Sequence, residues 1–324
     1  MKNLNIIIVV ISFLALNSCS QIPDTIAHKK IIAEQWLKLW NNGDLSIADE
    51  IFASDFISHI PQFTNVNNLV SYKAEVARTG NDIKNFSAKV EGIISNGDKA
   101  AARFSASGIY NGNIGDVQVK DVNYTNTWIV IFRFKEGKIA EEWWQFDNLG
   151  VRQQLGVIPP SKEGLPALMR SEPKDFIWGN SSNVAGDPGD PESNKSIIMH
   201  EYSAWNKKNA DTLIKVLNEI YSPQFLYHDP SRPHVTDLKS YIKWAVEECL
   251  TPFPDLSMEA RDVIIDDNKA AVRWTFTGTH KILGKKIGQD GISMYRLADG
   301  KIVEAWCACD MLGTVQQLMD ATRE

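Results

Sequence analysis

Apolar positions along this chain change period in a set order, and the same order runs twice. Over residues 26–42, and again over 195–208, they recur at three- and four-residue intervals (Ile31, Ile32, Trp36, Leu39 and Trp40 in the first), which predicts an amphipathic helix. A second helical stretch follows at 44–53 and 210–221. A short strand then ends in His59 or His228, and a third helix is predicted over 66–79 and 236–249. Four long segments rich in β-branched and aromatic residues come next, near 86–96, 99–110, 119–134 and 138–147 in the first half, with turn dipeptides between them. Helices first and a meander of strands afterwards predicts an α+β fold with an antiparallel sheet. Such a sheet can curve and use its two faces differently.

The repetition is visible in identities as well as in pattern. Residues 137–155 (GKIAEEWWQFDNLGVRQQL) and 300–318 (GKIVEAWCACDMLGTVQQL) agree at eleven of nineteen positions, 163 residues apart. Residues 97–108 match 267–278, 51–59 match 220–228, and Trp40-Asn41 matches Trp205-Asn206. A match of this length at a nearly fixed offset means a duplicated domain. Residues 159–194, rich in Pro, Gly, Ser, Asn and Asp, read as a linker between a first domain over 29–158 and a second over 195–324.

The N-terminus adds a location. Lys2 precedes an apolar run over 6–16 that is too short to span a bilayer and has the length of a signal-peptide core. Its end, Leu16-Asn17-Ser18-Cys19, resembles a bacterial lipobox. Residues 1–19 are thus expected to be a lipoprotein leader, with lipid on Cys19, residues 20–28 a tether, and the protein exported and anchored to the cell envelope, outer membrane or periplasm-facing. The alternative is an ordinary secretory signal in which Cys19 is incidental. A net charge of −6 over 324 residues, with no basic stripe, argues against a nucleic-acid surface. Cys307 and Cys309, two apart on a predicted strand, share one face; with Cys249 they read as small apolar residues under the sheet. No phosphate loop, dinucleotide fingerprint or zinc-ligand spacing is present, so no cofactor and no metal are expected.

The second half carries Phe253-Pro254-Asp255-Leu256, Gly278-Thr279-His280, Asp299-Gly300-Lys301-Ile302-Val303-Glu304, Trp306, Asp310 and Gln317-Leu318; the first carries Gly137-Lys138-Ile139, Glu141, Trp143, Asp147 and Gln154-Leu155-Gly156. On these residues each half resembles the SnoaL-like polyketide cyclases, also called ester cyclases, of the NTF2-like superfamily. The resemblance implies two tandem NTF2-like cones, each of three helices closing a strongly curved antiparallel sheet around an apolar pocket for a small apolar or aromatic ligand. It also implies an acid/base role for Asp147 and Asp310, and places His59 and His228 at the pocket. The plain alternative for each aspartate is an N-cap of the helix that follows, and for each histidine a bond to a loop.

Alternation puts Ile139, Glu141, Trp143, Gln145 and Asp147 on one face of the last strand, and Ile302, Glu304, Trp306 and Asp310 on one face of its copy. With that face inside the cone, Trp143, Trp306, Trp40 and Trp205 would line the pockets, and Tyr110 or His280 could donate to a ligand carbonyl. Glu141 and Glu304 are expected to pair with Arg103 and Arg273. NTF2-like domains commonly pair through the outer faces of their sheets, so the resemblance implies an intrachain pseudo-dimer in which the opposite face, with Trp144 and Phe146 in one copy and Val303, Cys307 and Cys309 in the other, would lie between the two domains. Two functions remain open: a cofactor-free cyclase or isomerase, and a non-catalytic small-molecule-binding or interaction module.

Overall fold

The computed structural model describes residues 24–158 and 184–319. The leader, the lipobox with Cys19, and most of the linker lie outside the described residues. Among the described residues no helix is long and apolar enough to cross a membrane.

Each half builds the same unit. The first opens with α1 (Asp24–Lys30), a π-helical turn (Ile31–Trp36) and α2 (Leu37–Asn42), which ends where Gly43 turns left-handed. Then come α3 (Ser46–Ile51), β1 (Phe52–His59) and α4 (Leu69–Asp82), whose start is a capping box built by Asn68 and Ser71. The meander is β2 (Ile83–Asn96), β3 (Lys99–Ile114), β4 (Val117–Lys135) and β5 (Lys138–Phe146), closed by α5 (Asn148–Gln154).

The second unit repeats this as α6 (Pro191–Asn206), α7 (Ala210–Ile220), β6 (Tyr221–His228), α8 (Leu238–Trp244) with a π-helical extension (Ala245–Leu250), β7 (Ser257–Asp266), β8 (Lys269–Thr279), β9 (Lys286–Ala298), β10 (Lys301–Cys309) and α9 (Met311–Met319). The helix α6 begins earlier than periodicity indicates. Asp190 caps it by accepting from Ser193 N at 3.0 Å, and Pro191 takes the first helical position, where a missing N–H costs nothing.

The sheets run β1-β5-β4-β3-β2 and β6-β10-β9-β8-β7. They are mixed rather than wholly antiparallel, because β1 pairs with β5 and β6 with β10 in parallel. Register shifts at Val90/Gly92 in β2, Ala260/Asp262 in β7 and Tyr110/Gly112 in β3 mark bulges, which bend a sheet.

A further bulge reverses the expected facing of the last strand. The β4–β5 register slips between Glu141 and Ile139, and the β9–β10 register between Glu304 and Ile302. Alternation is therefore broken at Ala140 and Val303. Ile139, Glu142, Trp144 and Phe146 point into the cone, and so do Ile302, Ala305, Cys307 and Cys309. Glu141, Trp143, Glu304, Trp306 and Ala308 point outward, onto the other domain.

The two sheets meet on those outer faces. Ile94, Ala101, Ile129 and Ile131 of the first pack on Ile264, Ala271, Ile292, Met294, Trp306 and Ala308 of the second. The Arg103 guanidinium lies 3.9 Å from the Trp306 ring and Arg273 lies 4.6 Å from that of Trp143, so each domain places one arginine on the other's indole. Along β2 and β7, Ser95 N donates to Asp266 at 3.0 Å, Asn96 Nδ2 donates to the Ile265 carbonyl at 2.8 Å, and Lys99 pairs with Asp262. The intrachain pseudo-dimer exists, but Trp144, Phe146, Cys307 and Cys309 are not in it. With both faces of each sheet buried, apolar alternation cannot tell the cone interior from the junction.

Candidate ligand-binding site

The two cones differ in what they enclose. The first holds a cavity of about 340 Å³. Trp40 from α2, Trp128 from β4, and Trp144 and Phe146 from β5 form its aromatic walls, with Ile60 and Phe63 from the loop after β1. The indoles hold one another: Trp128 stacks on Trp144 with centroids 6.0 Å apart and planes at 14°, and Trp40 meets Trp144 edge-on at 5.6 Å. Trp40 Nε1 donates to the Tyr72 hydroxyl at 3.0 Å, which fixes its ring against the cavity.

The mouth is polar. Glu75, Arg78 and Asp82 of α4 form an ion-pair cluster, with Arg78 at 2.5 Å from Glu75 and 2.7 Å from Asp82. Tyr110, Tyr124, Asn126 and Arg152 complete it. The long β3–β4 hairpin brings Asn113, Ile114 and Gly115 over this mouth. In the second unit the same hairpin stops at Thr279 and resumes at Lys286.

The second cone is nearly full, with about 60 Å³ left. Trp244, Trp274, Tyr202, Tyr227, Tyr241 and Tyr295 occupy it. Trp274 lies so close over Gly291 that a Cβ there would meet its ring at 2.1 Å.

Comparison with known proteins agrees with this architecture. The model of the SnoaL-like polyketide cyclase family matches residues 30–155 and again 199–318. The chain belongs to this family. Solved structures similar to one SnoaL-like unit include TsrD from Streptomyces laurentii (24% identity, 41% of this chain and 97% of that one, TM-score 0.38), wild-type IdmH from Streptomyces antibioticus (24%, 40% and 99%, 0.36) and a SnoaL-like polyketide cyclase from Agrobacterium tumefaciens (20%, 39% and 97%, 0.33). No curated protein matches the chain at a significant level.

Within the two SnoaL-like units, the residues singled out from sequence separate into three places. Asp147 and Asp310 are helix caps: Oδ1 of each accepts from an amide three residues on, Gly150 N and Gly313 N, both at 2.9 Å. A Cβ on either glycine would sit within 2.2 Å of the aspartate Oδ2, so the repeated Asp-x-Leu-Gly is a capping motif that requires glycine. Neither carboxylate lines either of these two cavities. Asp310 Oδ2 accepts instead from Gln62 of the other domain at 3.4 Å. Burial pushes the Asp147 carboxyl up to about 6 and raises that of Asp310 as well.

His59 and His228 also fall outside the cones. They end β1 and β6 on the outer faces, bond Glu141 and Glu304 through Nε2 at 2.9 and 3.0 Å, and stack on Trp143 and Trp306. Trp143 and Trp306 are therefore junction residues rather than pocket lining. Glu141 pairs with Arg133 at 2.8 Å and Glu304 with Arg296 at 3.2 Å, the cross-strand neighbours on their own face, while Arg273 pairs with Asp262 at 2.6 Å and Arg103 lies on the Trp306 ring. His280 accepts from Leu283 N at 3.3 Å in a turn beside Phe253, off the cavity. Of the expected pocket residues, Trp40 and Tyr110 line the first cavity and Trp205 the second.

Two inward carboxyls were not singled out. Glu142 is fully buried behind the first cavity, accepts from Ser58 Oγ at 2.8 Å, and is pushed up to about 8 by desolvation. Glu201 lines the second cavity and accepts from the Tyr241 hydroxyl at 2.8 Å; burial raises it too. They occupy different positions in the repeat. Asn41 brackets Ala88 as Asn206 brackets Met258, each through a pair of backbone bonds, so Trp36 is equivalent to Glu201. The strand register makes Glu142 equivalent to Ala305. The carboxyl has moved from strand to helix. In the first copy the Tyr72 hydroxyl receives Trp36 Nε1 at 3.0 Å; in the second the equivalent Tyr241 bonds Glu201. An alignment of the two halves, read for paired exchanges, would have signalled both.

Proposed function

We propose that the protein captures a small, flat, largely apolar compound in the first SnoaL-like cone, while the second, filled cone serves as its built-in partner. The observation that carries this reading is the contrast between the 340 Å³ cavity floored by indoles and the 60 Å³ remnant in the other copy. The larger volume falls within the roughly 300–1,000 Å³ of pockets that enclose small organic ligands. Aromatic walls favour a ring system, and the mixed-charge mouth favours a neutral polar group at one end of it. Binding without turnover is the better-supported of the two functions. The aspartates and histidines to which the family resemblance gave acid/base work are engaged as caps or face the junction, and none of the four lines the first cavity.

The test is titration of the full chain with coumarin and with 1,4-naphthoquinone, followed by tryptophan fluorescence and by mass spectrometry of the ligand. One equivalent should quench the signal and be recovered unchanged, and Leu155→Trp, which fills the first cavity, should abolish quenching. Recovery of a rearranged product would overturn the binding reading in favour of a cyclase or isomerase. Retention of binding by Leu155→Trp would overturn the location. We further propose attachment to the cell envelope through lipid on Cys19, supported by the N-terminal sequence alone; labelling with radioactive palmitate should be lost in Cys19→Ser.

A further inference from the structure

The interior of the second cone differs from the first by a concerted exchange. Strand register makes His59 equivalent to His228 and Trp143 to Trp306. The loop after each histidine makes the same turn: Phe63 N donates to the Ile60 carbonyl at 3.2 Å, and Arg232 N to that of Asp229 at 3.1 Å. By this register four apolar wall residues of the first cavity, Ile60, Phe63, Trp144 and Phe146, become Asp229, Arg232, Cys307 and Cys309. All four replacements are buried. One buried charge introduced alone would be costly; here the charges arrive as a pair, and with two thiols. Arg232 Nη1 lies 2.5 Å from Asp229 Oδ2 and 3.4 Å from Cys309 Sγ, while its Nη2 lies 3.2 Å from Met311 Sδ. The Cys307 and Cys309 sulfurs and an Asp229 oxygen all lie within 4.8 Å of one another.

We propose that Cys307 and Cys309 form a binding site for a soft monovalent cation, Cu(I), inside the second cone. The donor set decides the ion. Thiolates select soft metals, and two metal–sulfur bonds of about 2.3 Å span at most about 4.6 Å, a reach comparable to the 4.8 Å within which the two sulfurs lie. Asp229 is not a ligand. Its oxygens already accept from Ser231 N, Ser231 Oγ, the Tyr227 hydroxyl and Arg232, which fills its roughly four lone-pair sites. A divalent ion seeking four donors would find two, beside a fixed guanidinium. Cu(I) is satisfied by two, and its bis-thiolate complex is an anion that Arg232 offsets. Binding exchanges two thiol protons for the ion, Cu⁺ + 2 RSH → Cu(SR)₂⁻ + 2 H⁺, with no change of oxidation state. The site is independent of the cavity in the first cone.

The test is anaerobic competition between the protein and bathocuproine disulfonate for Cu(I). It uses the full chain carrying Cys19→Ser, so that Cys249, Cys307 and Cys309 are the only thiols. One equivalent should transfer to the protein. Transfer should be lost in Cys307→Ser/Cys309→Ser, survive in Cys249→Ser, and weaken by about tenfold or more in Arg232→Met, as expected for a group that supports the ligands. No transfer to the parent chain, undiminished binding by the double-serine chain, or loss in Cys249→Ser would overturn the assignment. X-ray absorption of the loaded parent chain keeps the question open to refutation should the serine variant fail to fold. A shell of two sulfurs is expected, and an oxygen or nitrogen shell would contradict the site. A parallel arm with Zn(II) should show no stoichiometric uptake; uptake of zinc at the same thiols with refusal of copper would overturn the choice of ion.

Discussion

The two copies share a frame and differ in how they use its interior. The caps, the histidine–glutamate–tryptophan stacks and the arginines crossed over the junction are the same in both. The cone walls are not. Changes inside come as compensating pairs: Trp36 with Glu142 against Glu201 with Ala305, and Phe104 opposite Trp128 against Trp274 opposite Gly291. In the latter exchange the indole moves to the facing strand, and a glycine appears where it must lie. The lesson is that the junction holds the duplicated fold constant while the interiors diverge, one staying hollow and the other closing around a charged, sulfur-rich cluster.

The comparison is broken most severely at the junction. Trp306→Ala removes a buried indole from between the sheets and takes the ring from under the Arg103 guanidinium, so it should cost about 3–5 kcal/mol in urea unfolding of the full chain. A loss below about 1 kcal/mol would mean the sheets do not depend on that contact.

Next in size is the exchanged carboxyl. Trp36→Glu would place a second buried carboxyl near Glu142, and Glu142→Ala would leave Ser58 unpartnered. Each alone should destabilise, while the double change, which copies the second unit, should recover about 1–3 kcal/mol of the summed loss. Strict additivity would show the equivalence to be accidental.

The same carboxyl sets a pH dependence. Glu142 is held protonated up to about 8 in the folded chain, against an ordinary value of 4.5, so between those values the folded state binds more protons than the unfolded one. Its contribution to stability is complete below pH 4.5 and falls as pH rises to about 8. Asp147, raised from 3.8 to about 6, adds the same sign over its narrower window. Urea midpoints should therefore fall from about pH 5 to about pH 8, and Glu142→Gln should flatten most of the slope. A midpoint that rises over this range in the parent chain would contradict the buried acid.

The smallest effect separates the two histidines. His59 has 46% of its side chain exposed, and His59→Ala should cost no more than about 1 kcal/mol. His228→Ala should cost more, because it takes a hydrogen-bond partner from a Glu304 that is fully buried. Equal losses would remove the distinction between an open and a closed rim.

Much of this was legible in the chain. The duplication and the order of elements follow from periodicity and from the repeated Asp-x-Leu-Gly and Gly-Lys-Ile-x-Glu-x-Trp segments, and the pairing of the two units was an expectation from the family resemblance. What failed was the facing of β5 and β10. One bulged residue, Ala140 or Val303, reverses inside and outside, and apolar alternation carries no mark of it when both faces are buried. That slip moved Trp143, Trp306, His59 and His228 into a pocket they do not line and moved Trp144, Phe146, Cys307 and Cys309 out of the cones they do. The capping role of the aspartates was ambiguous for a different reason. A carboxylate opening a helix three residues before a glycine reads equally well as acid or cap, and only the distance to Gly150 N and Gly313 N decides.

The central claim, one open cone and one closed, is tested most directly by diffraction from crystals pressurised with xenon, which enters dry apolar cavities. Anomalous density among Trp40, Trp128 and Trp144, with none among the tyrosines around Glu201, is the predicted result. Xenon in the second cone, or none in the first, would contradict it.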